Sequence, residues 1–204
     1  MTTTERAVLA RRGRHLEYFT IGWNSLEGLI AVAAGAVAGS ISLVGFGVDS
    51  FIEVTSGAAL LWRMAGDDDA CLRERREALT LRVVGVCFLV LATYVALEAL
   101  SNLRSGTHAD TSRAGIALAA ASLVVMPLLS RAKRRVARGL GSGAMHADAR
   151  QTEFCTYLSS ILLAGLVLNA AFGVWWADSV AALLMTPIII KEGVAGLRGD
   201  ACCD

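Results

Sequence analysis

Apolar residues in this chain fall into six long blocks, and the arginines collect between them. The blocks run over Tyr18–Ala38, Ile41–Arg63, Leu81–Ser101, Arg113–Ser130, Thr152–Phe172 and Ala177–Leu197. A helix needs about 20 mostly apolar residues to cross the hydrocarbon core of a bilayer, so each block predicts one membrane-spanning helix. Only Gly39 and Ser40 separate the first block from the second, which forces an antiparallel hairpin. Gly66–Leu79 is an acidic and then basic connection, and Ser130–Ala147 is predicted as the longest one, basic and then glycine-rich. Pro127 and Pro187 fall inside the fourth and sixth spans and are candidate kink sites. Glycine and alanine crowd the first two spans, which favours close helix packing. Val48-Asp49-Ser50 and Ala177-Asp178-Ser179 resemble each other faintly, too little to prove an internal repeat. The pattern predicts an all-α polytopic membrane protein. A six-transmembrane-helix bundle occupies 18–197, after an N-terminal segment over 1–17 and before a short tail over 198–204.

Composition strengthens this picture. With 55% hydrophobic and 18% charged residues in 204, and a mean hydropathy of +0.56, nothing is left over for a sizeable soluble domain. The near-neutral net charge of +1 hides an asymmetry. Four arginines precede the first span (Arg6, Arg11, Arg12, Arg14). Five lie around the second connection (Arg63, Arg73, Arg75, Arg76, Arg82), and Lys191 and Arg198 lie near the C-terminus. The fourth connection holds Arg131, Lys133, Arg134, Arg135, Arg138 and Arg150. The remaining connections hold only Arg104 and Arg113, a split of seventeen against two. The positive-inside rule therefore predicts cytoplasmic N- and C-termini, as an even number of spans requires of the two together. Basic loops of this kind signal topology and anionic-lipid contact rather than nucleic-acid binding. No short apolar stretch with a small-residue cleavage site follows the arginine-rich N-terminus, so no removable signal peptide is expected. The chain is expected in the inner membrane if its source is bacterial. Cys71, Cys87, Cys155, Cys202 and Cys203 fall in the membrane or on the cytoplasmic side, where thiols stay reduced, and imply no disulfide framework.

Ionisable residues inside a span cost a few kcal/mol each and need a reason. Asp49 and Glu53 are four apart on the second helix, hence on one face with Cβ atoms roughly 6 Å apart. Two carboxylates that close repel unless a cation or shared protons intervene. No lysine or arginine falls mid-membrane to neutralise them, so a bound divalent cation or exchangeable protons are expected; permanent protonation is the bland alternative. Gln151 and Cys155, also four apart, lie on the fifth helix near Thr152, Glu153 and Tyr157. A thiolate is a soft metal ligand and an amide oxygen a weak, hard one, but cysteine is equally a small packing residue. Glu27, with Asn24 three residues before it, joins the site or pairs with a neighbouring helix. His146 and Asp148 precede the fifth helix and serve as an entrance for cations or, in the case of Asp148, as a helix cap. Asp178 after Trp175-Trp176 reads as an interfacial cap, and Glu98 as interfacial. Asp200, Cys202, Cys203 and Asp204 are a weak chelation or palmitoylation signal.

Gly39-Ser40-Ile41-Ser42-Leu43, followed by Asp49-Ser50 and Glu53, resembles the second helix of the cation diffusion facilitator family. Ala147-Asp148, and Gly173-Val174-Trp175-Trp176-Ala177-Asp178, resemble its fifth and sixth helices, so the likeness covers nearly all of the transmembrane part. It implies a homodimeric transporter of zinc or a related divalent ion, usually in exchange for protons, by alternating access. The family's two second-helix ligands fall on Asp49 and Glu53. Its fifth-helix His and Asp ligands fall on Gln151 and Cys155, two departures that bear on metal identity and proton coupling. The chain stops soon after the sixth helix, which resembles a short branch without the family's cytoplasmic domain; dimer contacts are then expected from the membrane helices.

Taken together, the sequence predicts a divalent metal cation transporter, with zinc the first expectation and manganese, iron or cadmium next, working as an efflux antiporter against protons. Metal binding displaces protons from carboxylates and thiol, because ligands coordinate deprotonated. The only other species expected to matter are protons, lipid and a second copy; no resident cofactor and no nucleic acid are implied. The rivals are a non-transporting membrane module that binds metal and regulates a partner, and a membrane-embedded enzyme. No Walker motif, nucleophile arrangement or HExxH supports the latter.

Overall fold

The computed structural model describes residues 3–65, 70–107 and 109–198. It contains six α-helices: α1 (Thr3–Ala38), α2 (Ile41–Ala65), α3 (Ala70–Ser105), α4 (Arg113–Leu140), α5 (Gly143–Phe172) and α6 (Ala177–Arg198). Each contains a stretch long and apolar enough to cross a membrane. The acidic Gly66–Asp69 run and the terminal Asp200, Cys202, Cys203 and Asp204 lie outside the described residues.

At one end of the bundle the helix boundaries coincide with the apolar blocks: Ala38, Ile41, Arg113, Phe172 and Ala177. At the other end four helices outrun them. α1 starts fifteen residues before Tyr18, and α3 also starts early. α4 and α5 extend toward each other until only Gly141 and Ser142 remain between them. The expected eighteen-residue connection over Ser130–Ala147 is therefore corrected to a two-residue turn. Hydropathy marks where a helix leaves the apolar layer, not where its hydrogen bonding stops. The turn itself is written in the sequence. Gly141 takes φ +61° and its N–H caps Ala137 O, and the Ser142 hydroxyl accepts from Met145 N to start α5. Pro127 and Pro187 both lie within continuous helices.

α1 packs along α2, α4 along α5, and α3 along α6. The α1–α2, α3–α4 and α5–α6 turns gather at one end, where Asp110 N donates to Ala38 O at 2.7 Å. At the other end Leu9 of α1 covers Gly139 of α4, Met145 of α5 covers Gly13, and Gly85 of α3 abuts Gly193 and Leu197 of α6. The main core joins α2, α3, α5 and α6 through Leu43, Phe46, Phe88, Val95, Leu162 and Met185. A smaller cluster of Met126, Leu129 and Cys155 seals the space beside Trp23. Large apolar side chains also point outward along the helices, among them Leu29, Val37, Leu97 and Leu184, as a lipid-facing surface requires.

Candidate functional site

Close packing of α1 on α2 sets the register of the site. A Cβ on Gly47 would stand 2.8 Å from Val32 N, and one on Gly35 2.8 Å from Val44 N, so the two backbones nearly touch. Running antiparallel to α2, α1 presents Glu17, Thr20, Asn24 and Glu27 on one buried stripe. On α2, Asp49 lies about 12 Å and Glu53 about 18 Å along the axis from Ile41 at 1.5 Å per residue. In a hydrocarbon layer about 30 Å thick, both fall near its middle.

There α5 meets α2. The Cys155 thiol lies 2.8 Å from Glu53 Oε2 and 3.3 Å from Asp49 Oδ2. The Thr152 hydroxyl donates to Glu53 Oε1 at 2.7 Å. All four residues are buried. No ion pair reaches Asp49 or Glu53 among the described residues. The arrangement is a small acid cluster held by hydrogen bonds from a thiol and a hydroxyl. Among the described residues no group of three or more His, Cys, Asp or Glu side chains is set to hold a metal ion as it stands. Two ligands on one tetrahedral zinc stand about 3.5 Å apart, given metal–ligand distances near 2.0–2.3 Å. The thiol–carboxylate separation of 2.8 Å is a hydrogen bond, and a cation replacing that proton would spread the groups by about 0.7 Å.

Gln151 lies at the edge of this cluster. It is half-buried, its Nε2 has no hydrogen-bond partner, and it makes no hydrogen bond to Asp49, Glu53 or Cys155. Glu27 sits one step toward the hairpin end, where its carboxylate accepts from Ser50 Oγ at 3.0 Å and from Ser122 Oγ. It thus pairs with α2 and α4 and does not touch Asp49 or Glu53. Asn24 is fully buried at the level of Glu53, and neither end of its amide has a partner. Glu153 pairs with Arg134 at the bundle's edge, and Glu98 is exposed.

Three sequence expectations are corrected here. The first concerns a neutralising cation. Lys133, counted among the basic residues of a loop, lies inside α4, is completely buried, and donates to Asp148 Oδ2 (2.5 Å), Glu17 Oε2 (3.2 Å) and Thr152 Oγ1 (3.3 Å). Through Thr152 it stands one hydrogen-bonded relay from Glu53. The second concerns Asp148. It lies in the second turn of α5, buried against Lys133, so it neither caps the helix nor faces an entrance; the cap is Ser142. His146 stays exposed and apart from it. The third concerns Asp178, which is buried at the hairpin end and caps a different helix from its own. Its Oδ2 accepts from Ile41 N (2.9 Å) and Ser42 N (3.4 Å), and its Oδ1 from the hydroxyls of Ser40 and Ser42 (2.5 Å each). A carboxylate there satisfies the open N–H groups of α2 and faces the positive end of its dipole. The Gly39-Ser40-Ile41-Ser42 run is thereby explained. Gly39 ends α1 at φ +64°, and the two serines and Asp178 build the start of the helix that carries Asp49 and Glu53.

Comparison with known proteins agrees with the fold. The profile of the cation efflux transmembrane domain matches residues 21–198. An uncharacterized transporter of Methanocaldococcus jannaschii is 26% identical over 174 residues, covering 82% of this chain and 61% of that protein. Transmembrane protein 163 of Xenopus laevis is 24% identical over 180 residues, covering 85% of this chain and 64% of that protein. The chain thus spans a little over three fifths of the length of these curated relatives.

Proposed function

The chain belongs to the cation efflux family, and from that premise we propose that it carries divalent metal cations across the membrane by way of Asp49, Glu53 and Cys155. The observation that carries this reading is the meeting of those three side chains, buried near the middle of the bundle, where among the described residues no ion pair reaches either carboxylate. Two carboxylates and a thiol suit a borderline ion such as zinc, and iron, manganese or cadmium after it. Gln151 belongs to the proposed set as an outer oxygen ligand, reaching the ion only after a side-chain rearrangement. Glu27 is an accessory carboxylate one step away. Coordination would release the thiol and carboxyl protons, and protons arriving from the opposite side would displace the ion, which gives proton antiport and efflux. Access alternates as helices rock around the site. The seventeen-to-two distribution of basic residues supports cytoplasmic termini. The family resemblance supports a homodimer built on the membrane helices.

The test is flux in proteoliposomes with zinc, manganese, iron and cadmium, for the wild type and Asp49→Ala. Wild-type flux of at least one ion is expected, falling by about a hundredfold or more in the variant, an effect of roughly 2.7 kcal/mol or more. Undiminished flux in Asp49→Ala would remove that carboxylate from the path. Binding without flux in the wild type would favour a non-transporting metal-binding module.

A further inference from the structure

Beneath the acid cluster, Glu17, Lys133 and Asp148 form a second buried group that joins α1, α4 and α5. One ammonium serves two carboxylates here, and Glu17 Oε1 and Asp148 Oδ1 accept nothing. Site and group together hold four buried carboxylates, Asp49, Glu53, Glu17 and Asp148, with Lys133 as the one cation touching any of them among the described residues. The ammonium has a third contact, Thr152, which in turn donates to Glu53. Those two hydrogen bonds in series place Lys133 Nζ no more than about 6 Å from Glu53 Oε1. A lysine head rides on a flexible four-carbon stem, so that gap closes by side-chain rotation, without moving a helix.

We propose that Lys133 is a tethered competitor for the transported cation. While the ion sits on Asp49, Glu53 and Cys155, the ammonium is held by Glu17 and Asp148. When the ion leaves, Lys133 swings past Thr152 onto Glu53. Release then exchanges one cation for another at Glu53, and the incoming protons cover the carboxylates that the ammonium has left, so that none keeps an uncompensated charge, which is among the most costly arrangements in a low-dielectric interior. The built-in rival also keeps affinity low enough for the ion to leave. This inference rests on the proposed transport site. A brace that merely ties α1, α4 and α5 together would hold the site in shape, so losing it would weaken binding. A competitor, when lost, makes binding tighter. The sign separates the two.

The experiment measures Cd2+ binding by isothermal titration to the purified full chain in detergent. Lys133→Gln alone leaves two buried carboxylates unpaired and threatens folding. The test variant is therefore Lys133→Gln with Asp148→Asn, which keeps the group's formal charge. A second variant, Lys133→Arg, keeps the charge itself, but its planar fork is held more firmly by Glu17 and Asp148. Binding is expected to tighten about tenfold or more in the double variant and severalfold in Lys133→Arg, with flux falling in both as release slows. Wild-type binding with unchanged or weaker affinity in the variants would overturn the competitor and leave the cargo site standing. No Cd2+ binding by wild type and variants alike would sink the cargo site and the competitor with it.

Discussion

Two groups of helices in this bundle are joined by different chemistry. α1, α2, α4 and α5 are tied by polar side chains, in addition to the close packing of α1 on α2 at Gly35 and Gly47: Glu27 with Ser50 and Ser122, Lys133 with Glu17 and Asp148, Cys155 with Asp49 and Glu53. α3 and α6 meet through near contact of backbones, with Gly85 against Gly193 and Leu89 folded over Gly193. In lipid, helices gain little by hiding apolar surface from one another, so either small residues or hydrogen bonds must hold them. The two solutions differ in what they permit. Close backbone packing fixes a pair and offers nothing to a passing ion. Polar contacts can trade one partner for another, and among the described residues every ion pair and carboxylate hydrogen bond between helices away from the hairpin end belongs to the first group. The chemistry lies in four helices, and the α3–α6 pair serves as frame.

Breaking the frame is expected to give the largest effect. A Cβ at Gly85 would stand 2.7 Å from Gly193 O and 2.8 Å from Leu197 N, backbone atoms that cannot rotate away. Gly85→Leu should therefore part α3 from α6 at a cost of about 3 kcal/mol or more. The expected result is loss of a monodisperse peak in size-exclusion chromatography in detergent. A sharp peak with wild-type thermal stability would show that backbone contact is not what joins this pair.

Asp178 sharpens the contrast, because among the described residues it is the one polar tie from the frame to the start of α2. Asp178→Ala would strip acceptors from two backbone N–H groups and two hydroxyls at a buried helix end. The expected loss is about 2–4 kcal/mol, read as a lower melting temperature by circular dichroism in detergent. Asp178→Asn, which keeps one acceptor oxygen, should lose about half as much. Equal melting of Asp178→Ala and wild type would contradict the cap.

How much of this was legible depends on which physical signal each residue leaves in the sequence. The six helices were, because a membrane span writes its length in apolar residues. The hairpin-end boundaries were too, since Gly39, Gly173 and the short turns punctuate them. Asp49 and Glu53 were legible because an i, i+4 pair of acids in an apolar run has few explanations, and Cys155 because the family resemblance singles it out. Lys133 was hidden by its neighbours. Inside Arg131-Ala132-Lys133-Arg134-Arg135 it reads as one more topology charge. Yet the buried face of α4 runs Ala119, Ser122, Met126, Leu129, Lys133 and Val136, an unbroken helical stripe. Extending that stripe past the apolar block was the available signal. Asp178 was hidden for another reason. It caps a helix 137 positions earlier in the chain, and no local rule reaches that far.

The smallest expected effect tests the other half of the comparison. Gly22 lies on α1 in the polar-joined group, and a Cβ there would meet nothing within 4 Å. The other helical glycines whose surroundings are described would each put a Cβ against a neighbour, and the turn glycines take positive φ, so a helical glycine without contact should be replaceable. In Gly22→Ala the helix gains propensity, up to about 1 kcal/mol in water and less in lipid, where the backbone hydrogen bonds are already obligatory. A melting temperature equal to or slightly above wild type is expected, with flux changed by less than about twofold. A clear loss would mean that this exposed position of α1 does meet something, whether a second copy of the chain or a neighbouring helix during transport. Close packing of α1 would then extend from α2, where Gly35 and Gly47 already bring the two backbones together, to a further partner, and the frame would reach beyond α3 and α6.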